Sequence, residues 1–235
     1  MVLVRHMAEE DAAWAAGLME RRRAEYEAYS PVFWRPRYGI VQLHTQFLAS
    51  QIARSEVIAL CCDHGFAIAA PVGAHYYVDD FAVLDNRWDD VGRTLLRAVW
   101  VEAERRSAEA LRVVTALLDR PKVAMMTEMG LSLWQQWWVK AVVPISVEGA
   151  KTGILEGPGY RILRGSAPPV YDPGGPVGVL EHFDDASTLS RAETAAVQDG
   201  LVLLIAPLDS PHEHESVVSG FGYEVASQFY VGVPD

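Results

Sequence analysis

Residues 79–96 read DDFAVLDNRWDDVGRTLL, and this stretch decides the fold. It begins as a β-rich run, passes through a short polar loop, and continues with Leu95 and Leu96 at a spacing typical of a buried helix face. A strand that leads into a helix over a short loop aims the unpaired amides of the first helical turn at the loop. Such a helix start favours anions, and a diphosphate fits it well. The stretch therefore predicts an anion-binding strand–loop–helix unit, and the alternative is an ordinary junction capped by Asp89 or Asp90.

The hydrophobic periodicity of the flanking sequence predicts further strands and helices on both sides of this unit. A hairpin signal, DHG, separates two of the β-rich runs, and glycine and proline punctuate the other elements. The predicted strands are residues 2–6, 57–62, 66–73, 75–84, 111–118 and 134–143, and the predicted helices are residues 9–29, 44–54, 91–107 and 121–130. This order combines hairpins with a crossover. It predicts an α/β fold with a mixed, largely antiparallel sheet flanked by helices.

The second half of the chain repeats part of the first. LRVVTALLDRP at residues 111–121 matches LVLLIAPLDSP at residues 201–211 with a constant shift of 90 (201 − 111). Each copy continues into a helical stretch, a glycine and an aromatic strand, so we interpret the pair as a diverged duplication. The alternative is two unrelated strand–helix–strand units. We predict a domain at residues 1–145, a Gly/Pro-rich linker at 146–175 and a smaller α/β half-domain of similar topology at 176–235.

The loop of the deciding stretch resembles the CoA-binding motif of GNAT acetyltransferases, which is an Arg or Gln followed by xxGxG or xxGxA. Arg87 and Gly92 occupy the first and last positions, and the strand DDFAV and the GRTLL that follows also resemble the family. The sequence departs from the motif at Asp90, which replaces the middle glycine, and in a spacer after Val83 that is one residue shorter. The resemblance, which extends loosely over residues 1–145, implies a GNAT-like fold that uses acetyl-CoA to acetylate a small-molecule or peptide amine.

The same resemblance implies which residues hold the cofactor. The backbone of the fourth strand would pair with the pantetheine arm, and the N–H of Val83 would stabilise the oxyanion. Lys122 would reach a cofactor phosphate, or alternatively is a solvated surface lysine. Arg87 and Arg93 would offset the repulsion between Asp90 and the diphosphate. The expected cofactor contacts are Phe81, Ala82, Val83, Arg87, Trp88, Val91, Gly92, Arg93, Thr94 and Lys122.

Asp79 and Asp80 are the candidate catalytic residues, because an amine must lose its proton before it attacks. Neighbours on a strand point to opposite faces, so only one of the two is expected to face the cleft. The alternative is that both are polar strand-end residues in solvent or paired with arginine. The position at which the family usually supplies a tyrosine acid is Met126. This favours a second hypothesis, in which a GNAT-like fold has lost catalysis and acts as a CoA-sensing or protein-interaction module.

Composition excludes several other classes of function. The net charge of -11 disfavours nucleic acid, and no apolar run approaches the ~18 residues of a membrane helix, so we expect a cytoplasmic protein. The adjacent Cys61 and Cys62 suit opposite faces of a buried strand better than a disulfide or metal site. His212 and His214 lack a cysteine partner, so no metal site is predicted.

The C-terminal half-domain is expected to serve packing or substrate shaping and not to bind CoA. Its helix start, FDDASTLSRAE, has no glycines, and Val218 stands at its tyrosine position. A homodimer formed through an edge strand such as SQFYVG is a further hypothesis. The tryptophans Trp134, Trp137 and Trp138 are expected to pack in the core or at a domain interface, or alternatively to form a wall of the acceptor cleft. Nothing in the sequence identifies the acceptor amine.

Overall fold

A computed structural model describes residues 2–145 and 152–233. The chain divides into two compact units, neither of which is continuous in sequence. The first unit comprises Met1–Glu25, Tyr38–Leu133 and Phe229–Asp235, and the second comprises Tyr26–Arg37 and Trp134–Gln228. These boundaries differ from the predicted ones, because most of the aromatic strand after Gly130 belongs to the second unit.

The elements up to residue 128 follow the predicted order. They are β1 (Arg5–His6), α1 (Asp11–Tyr29), α2 (Ile40–Ile52), β2 (Ile58–Cys62), β3 (Gly65–Val72), β4 (His75–Val83), α3 (Arg93–Arg105), β5 (Ala110–Ala116) and α4 (Arg120–Glu128). The strands lie in the order β1-β2-β3-β4-β5. Neighbours from β1 to β4 are antiparallel, whereas β4 and β5 are parallel and are connected through α3. The predicted mixed sheet with one crossover is confirmed.

Two apolar clusters cover the faces of this sheet. One includes buried apolar residues of α3 and α4, and the other includes buried apolar residues of α1 and α2. Cys62 belongs to the first cluster and Cys61 to the second, and both are free thiols. The prediction of opposite, buried faces is therefore confirmed.

The remaining elements form the second strand–helix series. They are β6 (Ser132–Ala141), β7 (Gly153–Gly157), β8 (Tyr160–Gly165), β9 (Val177–Phe183), α5 (Ala186–Gln198), β10 (Leu203–Asp209), α6 (Glu215–Gly220) and β11 (Glu224–Gly232). The order in space is β6-β10-β9-β8-β7, in which only β9 and β10 are parallel. The succession β9-α5-β10-α6-β11 repeats β4-α3-β5-α4-β6, as expected of a duplication.

The predicted linker at residues 146–175 is wrong where it can be assessed. It contains β7 and β8, an antiparallel hairpin whose turn includes Gly159 at φ 78°. The glycines and prolines of this segment therefore form turns within the second unit. Residues 146–151 lie outside the described residues. Among the helices that are described, none has the length and apolar character needed to span a membrane.

Candidate functional site

The parallel strands β4 and β5 pair only over their first halves. Their register runs from His75 opposite Ala110 to Val78 opposite Val113, after which neither strand pairs with the other. We call the space between Phe81–Val83 and Val114–Ala116 the N-terminal fork. The N–H of Leu84 donates to His64 O at 2.8 Å on the β3 side. Because successive amides of a strand alternate in direction, the N–H of Val83 points into the fork.

A β-bulge lies in β4 where the fork begins. Phe81 is opposite Ala67 and Val78 is opposite Ala69, so Asp79 and Asp80 together face the single residue between them on β3. A bulge changes the direction in which side chains point and often lies beside a functional site. Here it places the two carboxylates in different environments: Asp80 is buried, whereas Asp79 is exposed.

Asp80 is held by two buried side chains. His44 Nε2 lies 2.9 Å from Asp80 Oδ1, and Arg23 Nη2 lies 3.9 Å from the same oxygen. Both partners are at least as buried as Asp80 itself. The Oδ1 atom of Asp80 is thus already engaged by neighbouring basic side chains. Asp80 is therefore poorly suited to accept a substrate proton.

Asp79 has the properties of a proton acceptor. Solvent reaches its side chain, but surrounding protein reduces the hydration of its carboxylate and raises its pKa to about 6. The charge of Asp80 raises this pKa further, whereas the positive charges of Lys122 and Arg23 oppose the rise. A carboxyl group with a pKa near neutrality can take up a proton and release it again at physiological pH.

Lys122 lies inside the N-terminal fork. Its side chain is buried, and Nζ donates to Val114 O at 2.8 Å. The same nitrogen is 5.2 Å from the centre of the Phe81 ring, a cation–π distance. Burial lowers the pKa of Lys122 to about 8, although nearby Asp119 opposes this shift. The alternative of a solvated surface lysine is therefore wrong, whereas contact of Lys122 with a cofactor phosphate stays a prediction.

Trp88 occupies the fork beside Lys122. Its side chain is only 1% exposed, and its ring meets Phe81 edge to face at 5.0 Å. The Arg22 guanidinium and the Lys122 ammonium lie 5.1 and 5.4 Å from the Trp88 ring. A Cβ at Gly92 would stand 2.7 Å from this ring. Gly92 is thus required by the packing of Trp88, whatever else it contacts.

The arrangement of these elements is similar to that of several solved structures. A proposed acetyltransferase from Thermoplasma acidophilum has a TM-score of 0.64 at 8% identity and covers 99% of this chain and 100% of its own. A GCN5-related N-acetyltransferase from Sphaerobacter thermophilus has a TM-score of 0.58 at 11% identity, over 99% of this chain and 95% of its own. The chain has the GNAT fold. A proposed acetyltransferase from Pyrococcus horikoshii, with a TM-score of 0.54 at 12% identity, covers 100% of this chain and 90% of its own.

These matches span both halves of the chain, so the GNAT fold accounts for the duplicated series as well as for the first unit. No protein-family model matches the sequence, and no curated protein sequence matches it. The identities of 8–12% relate the folds alone.

The loop at residues 87–92, which the sequence predicts to bind an anion, uses two of its amides for hydrogen bonds within the loop. A helical turn covers Trp88–Gly92, and within it Val91 N–H donates to Asp90 Oδ1 at 2.7 Å while Gly92 N–H donates to Arg87 O at 3.0 Å. Arg87 forms an ion pair with Asp90 and holds the pKa of that carboxyl below its ordinary value. Asp90 thus binds the Val91 amide and the Arg87 side chain, two groups that the sequence predicts to contact a diphosphate.

Arg93 and Thr94 also have partners within the chain. Arg93 forms an ion pair with Glu128 of α4, and Thr94 Oγ1 donates to Asp90 O at 2.6 Å. Because the helical turn begins at Trp88, the amides that lack an intrahelical acceptor by geometry are those of residues 88–90. An anion at this loop would therefore meet amides upstream of Gly92.

Sequence reasoning missed the charged side chains beneath the fork. Arg22 forms a buried ion pair with Asp119, which also accepts a hydrogen bond from Thr115 Oγ1 at 3.2 Å. Helical spacing could have predicted that these side chains are buried. Arg22 follows Leu18 by four residues on the buried side of α1, and His44 lies between the buried Ile40 and Leu48 of α2. A charged residue at an apolar position of a helix predicts a buried partner.

The other predicted positions have plain structural roles. Met126 is fully buried in the core of the first unit and supplies no acid. In the second unit, Trp137 meets Phe33 edge to face at 5.9 Å and Trp138 packs against an apolar cluster, whereas Val218 is buried in that cluster. Among the described residues no group of three His, Cys, Asp or Glu side chains can hold a metal ion.

Proposed function

We propose that the protein is an acyl-CoA-dependent N-acyltransferase that uses acetyl-CoA to acetylate a small-molecule or peptide amine at the N-terminal fork. The observation that carries the proposal is Asp79: an accessible carboxylate on a bulged strand, with a pKa of about 6, beside a backbone segment, Phe81–Val83, that does not pair with β5. The description of the three compared GNAT-fold proteins as acetyltransferases, two of them only proposed, supports the same class of reaction.

The residues at the mouth of the fork fit a CoA thioester. The free edge of Phe81–Val83 offers amides and carbonyls to an extended amide-bearing arm, and Arg87 and Arg93 flank the helix start that would face the diphosphate. The interior is occupied by Trp88 and Lys122, so these side chains must rearrange when the arm binds. The bound thioester supplies the activated acyl group.

The side chains then have defined tasks. Asp79 accepts the proton of the substrate ammonium, because its pKa lies close to the pH at which the reaction must run. Asp80, fixed by His44 and Arg23, keeps a negative charge nearby that favours a cationic amine. The N–H of Val83, directed into the fork, stabilises the developing oxyanion.

Replacement of Asp79 by asparagine tests the assignment. We expect Asp79→Asn to lower the rate of thiol release from acetyl-CoA in the presence of an amine panel by about 100-fold or more. In the wild-type protein, kcat/KM is expected to rise with pH through about 6 and then to level, because the unprotonated carboxylate is the active form. The matched control is Asp63→Asn, which changes an exposed carboxylate in the turn between β2 and β3. Unchanged turnover in Asp79→Asn would contradict the assignment.

A second candidate function follows from the occupied fork: a GNAT-fold module that no longer transfers acyl groups and senses CoA or binds a protein. Trp88 and Lys122 fill the fork, and Asp90 holds Arg87 and the Val91 amide. Heating the protein with millimolar acetyl-CoA separates the two candidates, since a ligand at 100 to 1,000 times its Kd stabilises by roughly 2.7 to 4.1 kcal/mol. Stabilisation without turnover favours sensing, whereas turnover that Arg87→Glu abolishes favours the transferase.

A further inference from the structure

The parallel strands β9 and β10 of the second unit also separate. Their pairing ends at Val179 opposite Ile205, although β9 continues to Phe183 and β10 to Asp209. The register between β8 and β9 shifts so that Glu181 is an extra residue on β9. We call the space between residues 180–183 and 206–209 the C-terminal fork. It repeats the topology of the N-terminal fork, including a bulge with an acidic residue.

A cavity opens at the C-terminal fork. Its volume is about 360 Å³, and it is lined by the ends of β9 and β10 and by residues 212–214, which precede α6. This size falls within the range of sites that hold small molecules, roughly 300 to 1,000 Å³. The sequence predicted that this half of the chain serves packing or substrate shaping. The cavity gives it the space to bind a ligand.

One wall of the cavity consists of flat rings. The ring centres of Phe183 and His214 are 4.7 Å apart with planes inclined at 34°, and the ring of His212 lies 5.1 Å from that of His214. The backbone N–H of His214 donates to His212 Nδ1 at 3.1 Å, and this bond holds the His212 ring in place. Leu208 adds a buried aliphatic surface. Such a wall suits a ligand with a flat or apolar body.

Carboxylates and histidines supply the titratable groups that line the cavity. Glu181, Asp184 and Glu213 contribute carboxylates, and no lysine or arginine is among the lining residues. Arg161 lies 3.3 Å from Glu181 and offsets one of these charges, and His182 Nε2 is 2.7 Å from Asp184 Oδ1. Glu213 forms no ion pair with any residue in the described part of the chain. A cation is therefore favoured in this cavity and an anion is repelled.

We propose that the C-terminal fork binds a small organic cation whose ammonium group contacts Asp184 and Glu213 and whose apolar body lies against Phe183 and His214. The inference concerns binding alone and does not depend on acyl transfer at the N-terminal fork.

Three probes of matched shape test the proposal by calorimetric titration of the full chain without any acyl donor. Benzylammonium, benzyl alcohol and benzoate differ in charge but share one ring. We expect benzylammonium to bind at millimolar concentration or tighter, benzyl alcohol to bind at least about 10-fold more weakly, and benzoate not to bind. A 10-fold difference corresponds to about 1.4 kcal/mol, which is the size expected of a charge pair near the surface of a protein.

Two variants locate the site. Asp184→Asn and Glu213→Gln are each expected to weaken benzylammonium binding about 5-fold or more. Glu156→Gln removes an exposed carboxylate from β7 of the same unit and is expected to leave binding unchanged. Shifts of the His212 and His214 imidazole resonances on titration provide a readout that does not rely on substitution. Equal affinity for benzylammonium and benzyl alcohol, absence of binding, or binding that both variants retain would overturn the proposal.

Discussion

The N-terminal and C-terminal forks have the same strand topology, but one is occupied by the protein and the other is open. In the first, Trp88 and Lys122 pack against Phe81 and are almost completely buried. In the second, the strands enclose a cavity of about 360 Å³. The comparison teaches that the GNAT fold supplies the fork, whereas a few side chains decide whether a ligand finds space in it.

The loops that follow the two first strands account for this difference. After β4 the chain passes Asp85 and Asn86, both at positive φ, and starts a helical turn at Trp88 without a side-chain cap. After β9, Asp185 caps α5 directly: its side chain accepts from Thr188 N–H, and Thr188 Oγ1 bonds in return to the Asp185 backbone. The first loop turns a large ring inward, and the second does not.

Removing the Trp88 ring from the N-terminal fork is expected to have the largest effect on the free energy of unfolding. Trp88→Ala removes a ring that is 1% exposed, and large-to-small core substitutions of this kind cost about 3 to 5 kcal/mol. Urea unfolding followed by circular dichroism measures the loss. Trp14→Ala is the matched control, because the Trp14 ring is 37% exposed and touches Phe66 only edge to face at 6.1 Å.

The same variant sharpens the comparison of the forks. If Trp88 is what keeps the N-terminal fork closed, acetyl-CoA will raise the Tm of Trp88→Ala more than that of the wild-type protein. A free energy of unfolding that falls by no more than in Trp14→Ala would contradict the packing described for Trp88.

Most of the fold could be predicted from the sequence because its signals are local. The strands β2 to β5 and the helices α3 and α4 follow from alternation, helical periodicity, a proline at a helix start and a glycine at its end. The segment 146–175 was misjudged for the same reason, since Gly159 and its neighbours mark a hairpin turn as well as they mark a boundary. Local composition does not distinguish the two.

The candidate site could be predicted only in part. Asp79 was found from its strand, but the bulge that separates it from Asp80 depends on the register with β3, which the chain does not encode locally. The inward position of Trp88 depends on contacts with Arg22 and Lys122, which are distant in sequence, as well as on its contact with Phe81. Burial and long-range pairing decide both features.

Removing the buried ammonium group of Lys122 is expected to have the next largest effect on the free energy of unfolding. This effect depends on pH. The pKa of Lys122 is about 8 in the folded protein and 10.5 in its ordinary state, so the unfolded chain binds more protons between these values. Stability conferred by this group therefore rises as pH increases from about 8 to 10.5. The difference in free energy of unfolding between the wild-type protein and Lys122→Met should change by about 3 kcal/mol across this window. A difference that is flat with pH would contradict the buried position of the ammonium group.

The smallest predicted effect concerns the helix starts that follow the two forks. Asp185→Ala removes the reciprocal cap of α5, and the loss of an N-cap of this kind should lower Tm by about 2 to 4 °C in a chain of this size. Differential scanning calorimetry measures the shift.

The matched control for the cap is Asp89→Ala at the other helix start. Asp89 was a candidate N-cap in the sequence, but the turn at Trp88–Gly92 has no side-chain cap, so this substitution should shift Tm by less than about 1 °C. If the two shifts were equal, the helix starts would be equivalent, and the difference between the forks would have to arise from Trp88 and Lys122 alone. A larger shift for Asp185→Ala would show that a side-chain cap stabilises the helix start after β9 and not the one after β4, so that the loops following the two forks differ in stability as well as in shape.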